Sequence, residues 1–231
     1  MSGRQAAVTI RRARGPVRAV VLVLHGGAEH GSAVVRPWRL AYLRMVPIAK
    51  SLHRAVARHG VEVRLLRNRV RGWNEPGLDA VRDARWALEG IHTDHPGVPV
   101  VLVGHSMGGR VALRVADDPA VAGVCALAPW TPRDEPVAAV RDRAVLIAHG
   151  TKDLITSPAD SYTFGSRAET AASRIARFEV TDEGHAMVRR APVWTRLVCA
   201  FTLDTLGLPP SDGTLTAAWT RPVAERLRIP L

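Results

Sequence analysis

Four short segments carry residue types that could do chemistry together. The first is GHSMGG at 104–109, where Ser106 stands in the spacing G-x-S-x-G directly after an apolar, branched run. A serine forced onto a tight strand-to-helix turn presents its hydroxyl outward as a nucleophile. Side chains two positions before and after it would collide, which accounts for Gly104 and Gly108, and Gly109 lets the following helix approach closely. The second is TDEGHAM at 181–187, where His185 follows a flexible Gly184. An imidazole titrating near neutrality can take a hydroxyl proton and return it to a leaving group. The third is HGTKD at 149–153, whose Asp153 could orient that imidazole and stabilise its protonated form. The fourth is HGG at 25–27, followed by Ala28. A backbone N–H from Ala28 or Gly27, with Ala28 placed marginally ahead, would pair with that of Met107 to hold a developing oxyanion. Asp160 and Asp182 are the competing acids, and His53, His59, His92 and His95 fall on helical segments or their ends.

The elements that must position these groups alternate along the chain. Residues 6–12 and 17–24 read as strands with Gly15 and Pro16 turning between them, and 45–59 has helical apolar spacing that stops at Gly60. Strands are expected at 61–66, 98–103, 121–127, 144–148 and 175–180, with helices at 78–92, 107–116, 157–173 and 187–206. Continuous apolar strands separated by helices call for a mostly parallel sheet covered on both faces, an α/β architecture. Ligands bind such sheets outside the carboxyl ends of the strands, and all four chemical segments follow strands. Residues 1–206 are read as one α/β domain, and 207–231, with Pro209, Pro210, Pro222 and Pro230, as an irregular tail.

Composition narrows the alternatives. The chain has 231 residues with 47% hydrophobic and 23% charged, ordinary for a globular domain. Cys125 and Cys199, each within an apolar run, read as buried thiols rather than a disulfide framework. No apolar run approaches the roughly 20 residues of a membrane span. Residues 1–15 hold basic residues but no apolar stretch of a secretory leader, so a cytoplasmic location is the default expectation. The net charge is +11, and residues 1–60 contain ten Arg and one Lys against the single acid Glu29. That field could attract anionic ligands. No basic run is interleaved with aromatics, and no nucleic-acid-binding motif is present, so nucleic acid is not an expected partner.

The order HGG, G-x-S-x-G, Asp, His resembles the α/β-hydrolase family, over about residues 17–203. The resemblance implies a serine hydrolase acting through an acyl-enzyme, with Ser106 as nucleophile, His185 as general base then acid, and Asp153 as orienting acid. It implies a small acyl substrate with water as second substrate, and neither metal nor organic cofactor. The closest likeness is to small esterase-like members, and the serine sets the chain apart from dienelactone-hydrolase relatives that use cysteine. Many members insert a helical cap where this chain has only residues 128–142, so a lid-gated lipase is not expected. The longer stretch 29–43, with Trp38 and Tyr42, is instead positioned to fold over the site. Trp38, Trp73, Trp130, Leu154 and Met187 follow strand ends and are candidate substrate-pocket walls. The same triad would also serve a thioesterase, an amidase or peptidase, or an acyltransferase. A non-catalytic ligand-binding member and a hydrolase associated with a membrane surface or a polyanion through the basic N-terminal quarter are the remaining readings, and the sequence leaves the oligomeric state open.

Overall fold

The computed structural model describes residues 5–210 and 212–231. Eight strands form one sheet in the order β1-β3-β2-β4-β5-β6-β7-β8. They are β1 (Ala7–Arg11), β2 (Ala19–Leu24), β3 (Val61–Arg67), β4 (Val100–His105), β5 (Val121–Leu127), β6 (Ala144–Gly150), β7 (Arg174–Val180) and β8 (Ile229–Pro230). Every pairing is parallel except that of β1 with β3. Gly15 and Pro16 therefore do not close a hairpin, because β1 lies beyond β3 and never meets β2.

The apolar strands are buried on both faces, as their unbroken Val, Leu and Ile runs require. Along β2, Val21 and Val23 point into one core with α1 (Leu40–Val56) and α5 (Ala191–Thr205). Val20, Leu22 and Leu24 point into the other, with α2 (Asp79–Asp94), α3 (Met107–Arg114) and α4 (Pro158–Ala168). Helix α1 begins five residues before the expected position and carries Pro47 within it, on an exposed position where its ring meets water. Gly60 adopts the left-handed conformation that ends the following turn, φ 77°. Helix α4 starts at Ser157, whose hydroxyl accepts from the Asp160 N–H, with Pro158 in the first turn. Cys125 is buried, but Cys199 is only half-buried.

The expectation of an irregular tail is corrected. Residues 214–219 form α6 (Thr214–Trp219), 223–226 form α7 (Val223–Arg226), and Ile229 pairs with Phe178 as the last strand of the sheet. Leu215, Ala218, Leu227 and Ile229 are buried. The prolines that suggested irregularity sit where a missing N–H does no harm. Pro222 precedes the first turn of α7, and Pro230 lies on an edge strand. Among the described residues no helix is long and apolar enough to cross a membrane. The reading of the N-terminus as lacking a leader falls partly on residues 1–4, outside the described residues.

Candidate active site

Strands β2, β4, β5, β6 and β7 end along one rim, and the four chemical segments converge there. Strand β4 runs two residues further than expected, so Ser106 follows it without a spacer. Its backbone is strained, with φ 57° and ψ −122°. Several hydrogen bonds hold that conformation. The Ser106 N–H donates to the Leu127 carbonyl at 2.9 Å, while its own carbonyl accepts from the N–H groups of Gly109, Arg110 and Trp130. The glycine requirement is steric. A Cβ on Gly104 would strike the Gly108 carbonyl, and one on Gly108 would strike the Leu24 and His25 carbonyls.

Ser106 Oγ lies 3.0 Å from His185 Nε2, and His185 Nδ1 lies 2.8 Å from Asp153 Oδ2. With Nδ1 carrying the proton towards the carboxylate, Nε2 is left as the acceptor facing the serine hydroxyl. The chain separations are 79 residues for the first contact and 32 for the second, so only the fold brings them together. Asp160 faces Arg133, and Asp182 pairs with Lys152, so neither competing acid reaches the imidazole.

Asp153 is buried, which opposes its ionisation. Hydrogen bonds outweigh that penalty and hold the carboxyl below the usual carboxylate range: His149 and His185 contribute through their rings, and Thr156 and Ile155 through their N–H groups. Ile155 N and Thr156 N donate to Oδ1 at 2.8 and 3.0 Å, the Thr156 hydroxyl donates to Oδ2 at 2.9 Å, and His149 Nε2 lies 3.2 Å from Oδ2. His149 is itself fully buried, and desolvation lowers its pKa.

The loop carrying His185 is fastened by Glu183, a buried acid that the sequence did not single out. Its carboxylate accepts from Gly184 N at 3.0 Å, Arg190 N at 2.6 Å and Trp194 Nε1 at 3.3 Å. The Glu183 carbonyl accepts from Lys152 N at 2.9 Å, tying this loop to the one that holds Asp153. His105 Nε2 donates to the His185 carbonyl at 3.0 Å, a second tie. Thr156, His149 and Glu183 were all hidden for one reason: their role depends on contacts between loops, although the HGTKD segment did put His149 and Asp153 four positions apart.

The oxyanion expectation is corrected in one particular. The Ala28 N–H already donates to the Arg71 carbonyl at 3.1 Å, so it has no proton to offer a ligand. The isolated bridge between Ala28 and Gly72 pulls that N–H away from the rim. Gly27 N–H makes no hydrogen bond among the described residues, and Met107, as the first residue of α3, has no acceptor for its N–H within the helix. Gly27 and Met107 are in close contact, since a Cβ on Gly27 would strike the Met107 thioether. Gly26 stands beside the serine, its missing Cβ 3.2 Å from that of Ser106.

The five candidate pocket walls do not assemble into one surface. Trp38 is exposed and lines a cavity of about 320 Å³ beside His25, Gly26 and Gly27. The stretch 29–43 thus forms a side wall rather than a cover, with Tyr42 turned inward and its hydroxyl 3.0 Å from Thr9. Trp73 is buried and Trp130 half-buried; their rings clasp the Arg110 guanidinium at 4.0 and 4.4 Å. Arg110 and Arg114 both pair with the buried Glu135, so this cluster packs α3 against the β5–β6 connection. Leu154 projects into solvent, and Met187 is buried in the core. Of the five, only Trp38 stands in the cavity beside Gly27.

Residues 20–230 match a family model described as the alpha/beta hydrolase family. No curated protein matches the sequence. Among solved structures, the chain is similar to an alpha-beta serine hydrolase homologue from Coxiella burnetii, with 18% identity and TM-score 0.65, covering 86% of this chain and 93% of that one. It is also similar to a serine hydrolase from Xanthomonas campestris described as lacking a lid, with 17% identity and TM-score 0.64, covering 90% and 91%. A monoacylglycerol lipase from Paleococcus ferrophilus aligns at 16% identity and TM-score 0.62, covering 86% and 99%. At these identities the likeness is one of fold.

Proposed function

Because the chain belongs to the alpha/beta hydrolase family, we propose that it is a serine hydrolase that cleaves small carboxylic ester-type acyl substrates through an acyl-enzyme on Ser106. Ser106 Oγ attacks the ester carbonyl as its proton passes to His185 Nε2. Asp153 holds the Nδ1 proton and offsets the positive charge that the imidazole gains. The tetrahedral oxygen receives the N–H groups of Gly27 and Met107. Collapse expels the alcohol, which takes the proton from Nε2. Water then attacks the acyl-enzyme with His185 as its base, and the acid leaves as Ser106 recovers its proton.

The observation that carries this reading is the unbroken relay of 3.0 Å and 2.8 Å from hydroxyl to imidazole to carboxylate. The strain stored at Ser106 supports it, because such backbone is kept only where the surroundings enforce it. The short β5–β6 connection leaves no room for a large cap, in keeping with an open site for small substrates. The test compares the wild type with Ser106→Ala on a chromogenic short-chain ester, its thioester and an aminoacyl amide. Fastest turnover of the ester, abolished in the variant, supports the reading. Faster turnover of the thioester or amide would reassign the bond, and unchanged turnover by Ser106→Ala would remove Ser106 from the chemistry.

A further inference from the structure

The cavity of about 320 Å³ beside the glycines has a chemical character of its own. Its floor is His25, Gly26 and Gly27, and the two glycines touch Ser106 and Met107. Its apolar wall is Val35, Trp38, Leu40 and Ala41, and its remaining wall holds Arg39 and Arg71. No acidic side chain lines it. Among the described residues neither guanidinium makes an ion pair or a side-chain hydrogen bond, whereas Arg67, a few residues earlier, donates to the Val35 carbonyl and Arg69 pairs with Asp79 and Asp83.

We infer that this cavity selects substrates bearing an anionic group, so that one arm of the scissile acyl compound lies along Trp38 and Leu40 and ends in a carboxylate or like anion between Arg39 and Arg71. The inference rests on the hydrolase reading above and adds the substrate class to it. The cavity is floored by Gly26, which touches Ser106, so one arm of a substrate held on the serine can reach it. Two guanidiniums without a carboxylate nearby repel a cationic arm and gain charge-assisted hydrogen bonds to an anionic one. The apolar wall then contributes contact along the stem but little choice between charged and neutral ends. Both arginines are placed by backbone contacts that do not involve their side chains: Arg71 N donates to the Ala33 carbonyl, and Arg39 N to the Arg36 carbonyl. The side chains can therefore be shortened without removing a contact the fold uses.

Two matched pairs of esters test the inference, since either arm could enter the cavity. One pair carries the charge on the acyl arm: the para-nitrophenyl monoester of adipic acid against para-nitrophenyl hexanoate. The other carries it on the alcohol arm: para-butanoyloxybenzoate against its methyl ester. The readout is the ratio of kcat/KM, anionic over neutral, within each pair. The wild type should favour the anionic member of at least one pair by about ten-fold, the size of a pair of partly exposed charge-assisted contacts. High salt should shrink that ratio. Arg39→Gln/Arg71→Gln should bring it to about one, while Arg141→Gln, before β6 at the opposite rim, should leave it as in the wild type. Turnover of the neutral esters without preference in either pair, or a preference that survives the double substitution, overturns this inference alone. No turnover of any of the four esters, with no fluorophosphonate label on Ser106, overturns the hydrolase reading and this inference with it.

Discussion

The two walls of the site are built on opposite principles. On one side, the loops after β6 and β7 bury Asp153, His149 and Glu183 and join them through Thr156 and the Glu183 carbonyl. On the other, the connection from β2 to α1 leaves Trp38, Arg39 and Leu40 exposed beside a cavity. The first wall fixes a proton relay, where a shift of a fraction of an ångström is felt directly. The second borders open space. On the proposed reading, rigidity belongs to the part that does the same chemistry on every substrate, and openness to the part that decides among substrates.

The strongest way to break this contrast is to disable the rigid wall. Asp153→Asn keeps the shape of the carboxyl but loses its charge, and should lower kcat by about 10⁴. A loss of less than ten-fold would show that the carboxylate does not govern the imidazole. Gly27, a proposed oxyanion donor, joins the two walls. Gly27→Val would drive a side chain into the Met107 thioether and the Arg71 carbonyl, and should lower kcat by about 10² to 10³ if the protein remains folded by circular dichroism. Smaller still is the effect expected of the buried donors behind Asp153. Thr156→Val and His149→Phe each remove a contact to Oδ2 and should lower kcat/KM by about ten-fold, with KM little changed. An equal effect on KM alone would move these residues to substrate binding.

The buried histidines of the rim give the last prediction, one of stability. Burial pushes His25 down to about 4, and burial with the nearby His185 charge pushes His105 down to about 3. His25 accepts the Asn68 N–H through Nε2 and donates through Nδ1 to the Gly26 carbonyl, while His105 Nδ1 is buried without a partner. Protonating either ring in the fold thus breaks a bond or strands a charge. In the unfolded chain both titrate near 6.5. As pH falls below that value the unfolded state gains protons that the native state refuses, so stability is present above pH 6.5 and declines towards pH 4. The loss is roughly 2 kcal/mol per histidine at about pH 5. Urea midpoints measured between about pH 7 and 5 should fall accordingly, and a flat midpoint would contradict the neutral assignment.

Much of this was legible in the sequence. The order of branched run, glycine and serine placed Ser106 at the rim, and the positions after β6 and β7 placed Asp153 and His185 beside it. These are local signals, each written in a few adjacent residues. What was not legible depends on contacts across the rim. Ala28 and Gly27 look alike as donors until the Arg71 carbonyl is seen to occupy one of them. Trp73 and Trp130 line a separate cavity of about 340 Å³ with Arg110 between their rings, a grouping that no local stretch of sequence reveals. The tail looked irregular because its prolines are ambiguous alone, and only the free edge of β7 gives Ile229 a place to pair.

The most direct test of the central claim is the mass of the protein after exposure to a fluorophosphonate, followed by peptide mapping. One adduct should form, on Ser106, and it should vanish in His185→Ala, whose serine lacks a base. An unmodified Ser106 in the folded wild type, or an adduct that forms as readily without His185, would contradict the relay on which the account rests.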